Sequence, residues 1–231
     1  MARAARWGMT TITITTTPDM LTPAHLALVQ WLSPGFPTGA FAYSHGLERE
    51  IALGHVTDAA HFEAWLANIL RFGAGWQDAV LLCHALDNDA DLDALDDLAR
   101  ALQPSAERLR EGREQGAALA RTVSAITGRA LPARMLPVAL AEAARTPGLP
   151  KADVVALYLQ GFAGNLVTIA TRHVPLGQSA AQAVLHRLHP VIATLATQAT
   201  TAPLDDLGGC ALAGDLAALQ HETMDVRIFR T

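Results

Sequence analysis

The sequence predicts an all-α protein, a single compact domain of about nine helices. Alanine and leucine dominate the 231 residues, of which 51% are hydrophobic, 17% are charged and only 5% are aromatic. This composition favours helices, because the β-branched and aromatic residues that suit strands are thinly spread. No alternation of strands and helices is apparent, and no convincing boundary divides the chain into two domains.

The individual helices follow from caps, glycines and prolines. Thr22 is an N-cap followed by Pro23 at the first helical position, so the first helix begins there. Residues 1–21 precede it; threonine alternates with isoleucine in part of this segment, and without a partner strand the pattern indicates a flexible arm. The same signals predict helices near residues 22–32, 43–54, 58–72, 79–86, 92–102, 105–127, 132–144, 154–171 and 179–200, with a last helix after Pro203.

One connection, Ser33–Glu48, has an unusual composition. It contains two prolines and three glycines together with two phenylalanines and a tyrosine. Proline fixes φ and glycine permits positive φ, so we expect a shaped loop. Its bulky apolar groups must be covered by the fold or held ready for a partner.

Two of the predicted helices need close neighbours. Gly112 and Gly116 lie inside one of them at a cost of about 1 kcal/mol each relative to alanine, and a close helix crossing is the expected compensation. Residues 154–171 carry no charge, which raises the question of a membrane span. Because Asn165 and other polar residues interrupt this run, we interpret it as a central helix enclosed by others, in which Asn165 needs an internal hydrogen-bond partner.

Several function classes are disfavoured. The net charge is −5 and no basic stretch stands out, which argues against nucleic-acid binding. Lys151 is the only lysine, and it lies outside any Gly-Lys-Ser/Thr motif, so the chain is not a P-loop nucleotidase. Cys83 and Cys210 are far apart, and the N-terminus lacks an apolar signal-peptide core, so we expect a reducing cytoplasm and no membrane anchor.

No catalytic residue or cofactor is predicted. Ala42-Tyr43-Ser44-His45-Gly46 is similar to a nucleophile elbow, but an elbow requires a preceding strand, and Ser44 is better interpreted as a cap or turn residue. His186 and His189 are spaced to share one helix face, yet two imidazoles without a third ligand make a weak metal site. The profile favours an interaction protein.

Three segments resemble the urease accessory protein UreF family. The first is the loop Ser33–Glu48. The second runs from Tyr158 to Gln178 and ends in Pro-Leu-Gly-Gln, and the third is the ending from His221 to Thr231. Arg113-Glu114-Gln115-Gly116 matches a further helix of the family, and the resemblance spans roughly residues 24–231.

The resemblance implies an all-α bundle without a reaction of its own. UreF-like proteins bind the accessory protein UreD (also called UreH) and the GTPase UreG, usually as a dimer, and the assembly delivers nickel to apo-urease. It implies a domain over residues 22–220 and a partner-binding tail over residues 221–231 that becomes ordered when UreD binds. The partner-binding residues that we infer are Phe41, Tyr43, Ser44, Glu48, Gln178, His221, Arg227, Phe229 and Arg230. The alternative is a direct nickel carrier that uses His186 and His189 with His45 or His221.

Overall fold

The computed structural model describes residues 22–145 and 149–231, which form α-helices and no strand. The all-α prediction is confirmed. Within these described ranges, nine helices have nine or more residues, as expected, and α2 is a further helix of six. The predicted arm at residues 1–21 lies outside the described residues. The helices are α1 Pro23–Trp31, α2 Leu47–Ala52, α3 Ala59–Phe72, α4 Ala74–Ala85, α5 Leu92–Ala101, α6 Ala106–Thr127, α7 Leu136–Ala144, α8 Lys151–His173, α9 Gln178–Ala199 and α10 Leu212–His221.

The core surrounds α4 and α8. Helix α8 packs against α9 along its length and also contacts α1, α2, α3 and α4, while α4 contacts α3, α7, α8 and α9. Helix α8 has the length and composition of a membrane-crossing helix, but half of its most apolar window is buried within the bundle. Asn165 on this helix donates to the carbonyl oxygen of Ala40 at 2.9 Å, which is the internal partner that the sequence required.

The second helix begins later than predicted. We expected it near Tyr43, but α2 starts at Leu47. The intervening residues cannot be helical, because His45 and Gly46 have φ values of 55° and 79° and therefore occupy the left-handed region. This leaves Tyr43 in an extended conformation, and the residue is only 2% exposed.

The two interior glycines of α6 have a different neighbour from the one predicted. A Cβ on Gly116 would collide with the carbonyl oxygen of Arg134, and one on Gly112 would collide with the side chain of Met135. The close approach is therefore made by the extended chain that leads into α7, not by a helix crossing. This extended segment also explains why α7 begins at Leu136 and not near residue 132.

Candidate functional site

The C-terminal tail, residues 221–231, lies against the fold across the starts of α2 and α6. The backbone N–H of Ser44 donates to the Thr231 oxygen at 2.8 Å, and the N–H of Arg230 donates to the Ala42 oxygen at 2.8 Å. The Ser44 hydroxyl donates to the same Thr231 oxygen and accepts from the N–H of Glu48 at 3.3 Å. Ser44 is thus a turn residue at the start of α2, as predicted, and it also binds the end of the tail.

Glu48 fixes the middle of the tail. Its two carboxylate oxygens accept the backbone N–H groups of Ile228 at 2.8 Å and Phe229 at 2.9 Å. Its Oε2 also lies 3.0 Å from Nε2 of His221. Partial burial opposes ionisation, but these N–H groups and the imidazole lower the pKa of Glu48 below its usual value. One carboxylate on the first turn of α2 therefore connects three points of the tail.

His221 is completely buried between two carboxylates. Its Nδ1 lies 2.7 Å from Oε2 of Glu107, and its Nε2 faces Glu48. An ionised carboxylate only accepts hydrogen bonds, so a ring nitrogen that donates to one satisfies a buried acceptor. The exposed side chain of Arg227 adds a cation, 2.7 Å from Oε1 of Glu107. Glu107 is therefore held by both a histidine and an arginine of the tail.

A second buried cluster holds the last residue. Glu111 pairs with Arg108, accepts from the Thr231 hydroxyl at 3.0 Å, and lies 2.8 Å from Nε2 of His45. Burial alone would raise the pKa of Glu111, but Arg108 and His45 lower it to about 2. Burial and the neighbouring guanidinium lower the pKa of His45, so Arg108 supplies the cation that Glu111 requires.

Aromatic residues also contribute to the contacts of the tail. Phe229 is 7% exposed and packs edge to face on the ring of His173, with 4.8 Å between centroids. The Tyr43 hydroxyl donates to Oε2 of Glu114 at 2.5 Å, and Arg230 reaches the same oxygen at 2.9 Å. Burial and this carboxylate raise the pKa of Tyr43 to about 12.

The loop side chains have divided roles. Phe36 is buried, whereas Phe41 is 64% exposed beside the tail.

Below the loop is a cavity of about 340 Å³ whose wall includes Asp78. The Tyr158 hydroxyl donates to Asp78 at 2.5 Å, but burial outweighs this bond and raises the pKa of Asp78 to about 6.

The structure brings most of the predicted residues together. Seven of the nine predicted partner-binding residues form the tail contacts, and Phe41 lies beside these contacts. Gln178 is exposed at the start of α9 and makes no side-chain hydrogen bond to the described tail residues. The fold buries three tail residues, because they meet carboxylates and apolar surface. The seven are Tyr43, Ser44, Glu48, His221, Arg227, Phe229 and Arg230, and the three buried tail residues are His221, Phe229 and Thr231.

Sequence reasoning missed the acidic face of α6. Glu107, Glu111 and Glu114 recur at helical spacing on one side of the helix, and each contacts the tail. A basic ending that carries Arg227 and Arg230 was the available signal for such a face.

The histidines proposed as nickel ligands lie in separate places. The exposed rings of His186 and His189 are 5.2 Å apart between centroids, whereas His45 and His221 are buried in the two tail clusters. Within residues 22–145 and 149–231, no group of three or more His, Cys, Asp or Glu side chains is arranged to hold a metal ion.

The chain is similar to known proteins over most of its length. The UreF family model matches residues 56–189. "Urease accessory protein UreF" of Cereibacter sphaeroides strain ATCC 17029 is 61% identical over 211 residues, which cover 91% of this chain and 100% of the relative. The proteins of the same name from Jannaschia sp. strain CCS1 and Paracoccus denitrificans strain Pd 1222 are each 48% identical, over 89% and 96% of this chain and 94% and 100% of the relatives.

Proposed function

Because the chain belongs to the UreF family of urease accessory proteins, we propose that it is a non-enzymatic scaffold in urease maturation. In this proposal it binds UreD (UreH) and recruits the GTPase UreG, and the assembly inserts nickel into apo-urease in the cytoplasm. Nickel is the cargo and nucleotide hydrolysis belongs to UreG, since the only lysine of this chain lies outside a P-loop motif. We expect a homodimer within the complex.

The observation that carries the proposal is the docked tail. Seven residues that the family resemblance selects, drawn from positions 43–48 and 221–230, meet in one hydrogen-bonded unit. The buried members of this set and the ion pairs of its two exposed arginines give this corner a fixed shape. A surface that is fixed before binding loses less conformational entropy when a partner arrives.

The outward side of this unit has the character of a contact surface. Val226 and Ile228 are 77% and 68% exposed, and Phe41 is exposed next to Arg230. Exposed apolar side chains beside arginines are typical of protein interfaces. We assign the apolar side of the tail to UreD, and the surface near Phe41, Tyr43 and Arg227 to UreG or the dimer contact.

Co-expression with UreD and UreG, followed by native mass measurement, tests the proposal. We expect a stable assembly of all three proteins for the unaltered chain. The double variant Phe41→Ala/Arg227→Ala should lose UreG and keep its helical circular dichroism, because both side chains are at least partly exposed. The matched control is Phe72→Ala/Arg187→Ala, which removes an exposed phenylalanine and an ion-paired surface arginine elsewhere.

Two outcomes are informative against the proposal. Equal recovery of UreG with the double variant and the control would show that the assigned surface is wrong. Failure of the unaltered chain to associate with either UreD or UreG would reject the scaffold function itself.

A further inference from the structure

One side of α6 carries arginines that the tail does not use. Arg110, Arg113 and Arg121 are exposed, and none of them forms an ion pair or a side-chain hydrogen bond within residues 22–145 and 149–231. At a rise of 1.5 Å per residue, the outer two are separated by about 17 Å along the helix axis. They form a row on one face, because eleven residues are close to three helical turns.

These arginines line a groove of about 1000 Å³, which we call the α6 arginine groove. Ala106, Ala117 and Ala118 of α6 have small side chains that keep it open. Loop residues 37–39 and 41–43 line it along with Arg134 from the chain before α7. The exposed ring of Phe41 lies in the same lining. The groove therefore has charged and apolar elements in one concave surface.

The charge of the groove is opposite to that of the chain. Its lining contains six arginines and one carboxylate, Glu114, whereas the whole protein has a net charge of −5. Three of the six are compensated: Arg100 by Asp96, Arg134 by Asp93 and Glu142, and Arg230 by Glu114. The other three are the row on α6, and a concave surface of one charge concentrates the field on a partner of opposite charge.

We propose that the α6 arginine groove binds an acidic segment of a partner protein. Carboxylates of that segment pair with Arg110, Arg113 and Arg121, whose planar guanidinium groups suit two-point contacts, and an apolar side chain packs on Phe41. The groove continues into the surface around Tyr43 and Arg230, so this inference rests on the proposed scaffold function and adds the chemistry of the partner.

A protein segment fits the groove better than a nucleic acid. Three uncompensated arginines over about 17 Å offer fewer phosphate contacts than the 6–10 of strongly salt-dependent DNA-binding proteins. The acidic remainder of the chain repels a long polyanion. Phe41 and Leu109 also give the groove an apolar part suited to a side chain.

The test compares two triple variants of the full chain. Arg110→Gln/Arg113→Gln/Arg121→Gln removes the row. The control Arg71→Gln/Arg129→Gln/Arg187→Gln removes the same charge from exposed residues that line neither the groove nor the tail surface assigned to UreD. Binding of each variant to purified UreG, to UreD and to the UreD–UreG mixture is measured at low and moderate salt.

We expect the row variant to bind at least one partner about tenfold more weakly at low salt, with a reduced salt dependence, while the control matches the unaltered chain. If the row variant and the control bind both partners equally, the groove inference is overturned and the scaffold function stands.

If the unaltered chain binds neither partner, the scaffold function fails, and two fluorescent probes decide the groove chemistry. They are a glutamate-rich 12-residue peptide containing leucine and a 12-nucleotide single-stranded DNA. Tighter binding of the peptide, lost in the row variant, supports the acidic segment. Tighter binding of the DNA, or no row-dependent binding of the peptide, overturns it.

Discussion

Two faces of α6 carry charges of very different character. On one face, Glu107, Arg108 and Glu111 are at most 8% exposed, and each is paired with the tail, the loop or its own neighbour. On the other face, Arg110, Arg113 and Arg121 are exposed and have no ion-pair partner in the described part of the chain. The buried face specifies where the tail binds, whereas the exposed face lines the groove that we propose for a partner.

The difference is energetic as well as geometric. Burying a charge costs several kcal/mol unless a partner compensates it, so removal of one member of a buried pair is strongly destabilising. Exposed charges lose little hydration and contribute about 0–1 kcal/mol even when paired. Substitutions on the two faces should therefore separate stability from binding.

The largest effect is expected for Glu111→Ala on the buried face. It leaves the Arg108 guanidinium buried without its carboxylate and removes the acceptor of the Thr231 hydroxyl. We expect a loss of about 3–5 kcal/mol in the free energy of unfolding, measured by urea denaturation. Arg121→Ala on the exposed face is the control, and a loss below 1 kcal/mol for Glu111→Ala would remove the distinction between the faces.

Glu48→Gln tests the tail contacts from the α2 side. The neutral amide weakens acceptance of the Ile228 and Phe229 N–H groups and weakens the contact with Nε2 of His221. We expect a loss of about 2 kcal/mol, with faster proteolysis confined to the tail. Glu50→Gln is a matched control on the same helix, because Glu50 contacts His55 and not the tail. If the tail is cleaved equally slowly in the two variants, Glu48 does not hold the tail.

Two buried acids should affect the pH dependence of stability in opposite directions. Glu111 is paired with a guanidinium, whereas Asp78 is poorly compensated. Glu111 has a pKa lowered to about 2, so its contribution is present above its unfolded value of 4.5 and is lost as the pH falls towards 2. Asp78 has a pKa raised to about 6, so it binds its proton more tightly in the folded state, and stability falls as the pH rises from 3.8 through 6.

The variant Asp78→Asn isolates the contribution of Asp78 to the pH dependence of stability. It should remove the decline between pH 4 and pH 7 and stabilise the fold at neutral pH by on the order of 2 kcal/mol, because the amide still accepts from Tyr158 without carrying a charge. Thermal unfolding at a series of pH values measures this, and an unchanged slope would show that Asp78 is not the group responsible.

The smallest effect on stability is expected from the exposed face. Arg110→Gln/Arg113→Gln/Arg121→Gln should change the free energy of unfolding by no more than about 0.5 kcal/mol, since no described contact is lost. Denaturation of the triple variant, compared with that of the unaltered chain, measures this change. A large loss would mean that the row serves the fold and not a partner.

Much of the fold follows from local signals. Asp58 and Ser105 accept the N–H groups of the helices they precede, as N-cap residues do, and their positions fixed the starts of α3 and α6. The start of α2 was placed too early because positive φ at His45, which is not glycine, has no strong sequence signal.

The site was less predictable, because its contacts are long-range. Ser44 and Thr231 are 187 positions apart, and nothing in either segment alone indicates the hydrogen bond between them. The family resemblance selected residues of the loop and the tail but not Glu107 or Glu111, which lie on α6. The groove of the α6 arginines was not predictable either, because the loop and the chain before α7 complete it only in the fold.

Amide hydrogen exchange of the tail in the isolated full-length chain tests the central claim most directly. The family resemblance implies a tail that becomes ordered on binding UreD, whereas the structure attaches it to α2 and α6 of its own chain. We predict that the amides of Ile228, Phe229 and Arg230 exchange at least about 100-fold more slowly than in the urea-unfolded chain. Exchange at the unfolded rate without a partner would contradict the account.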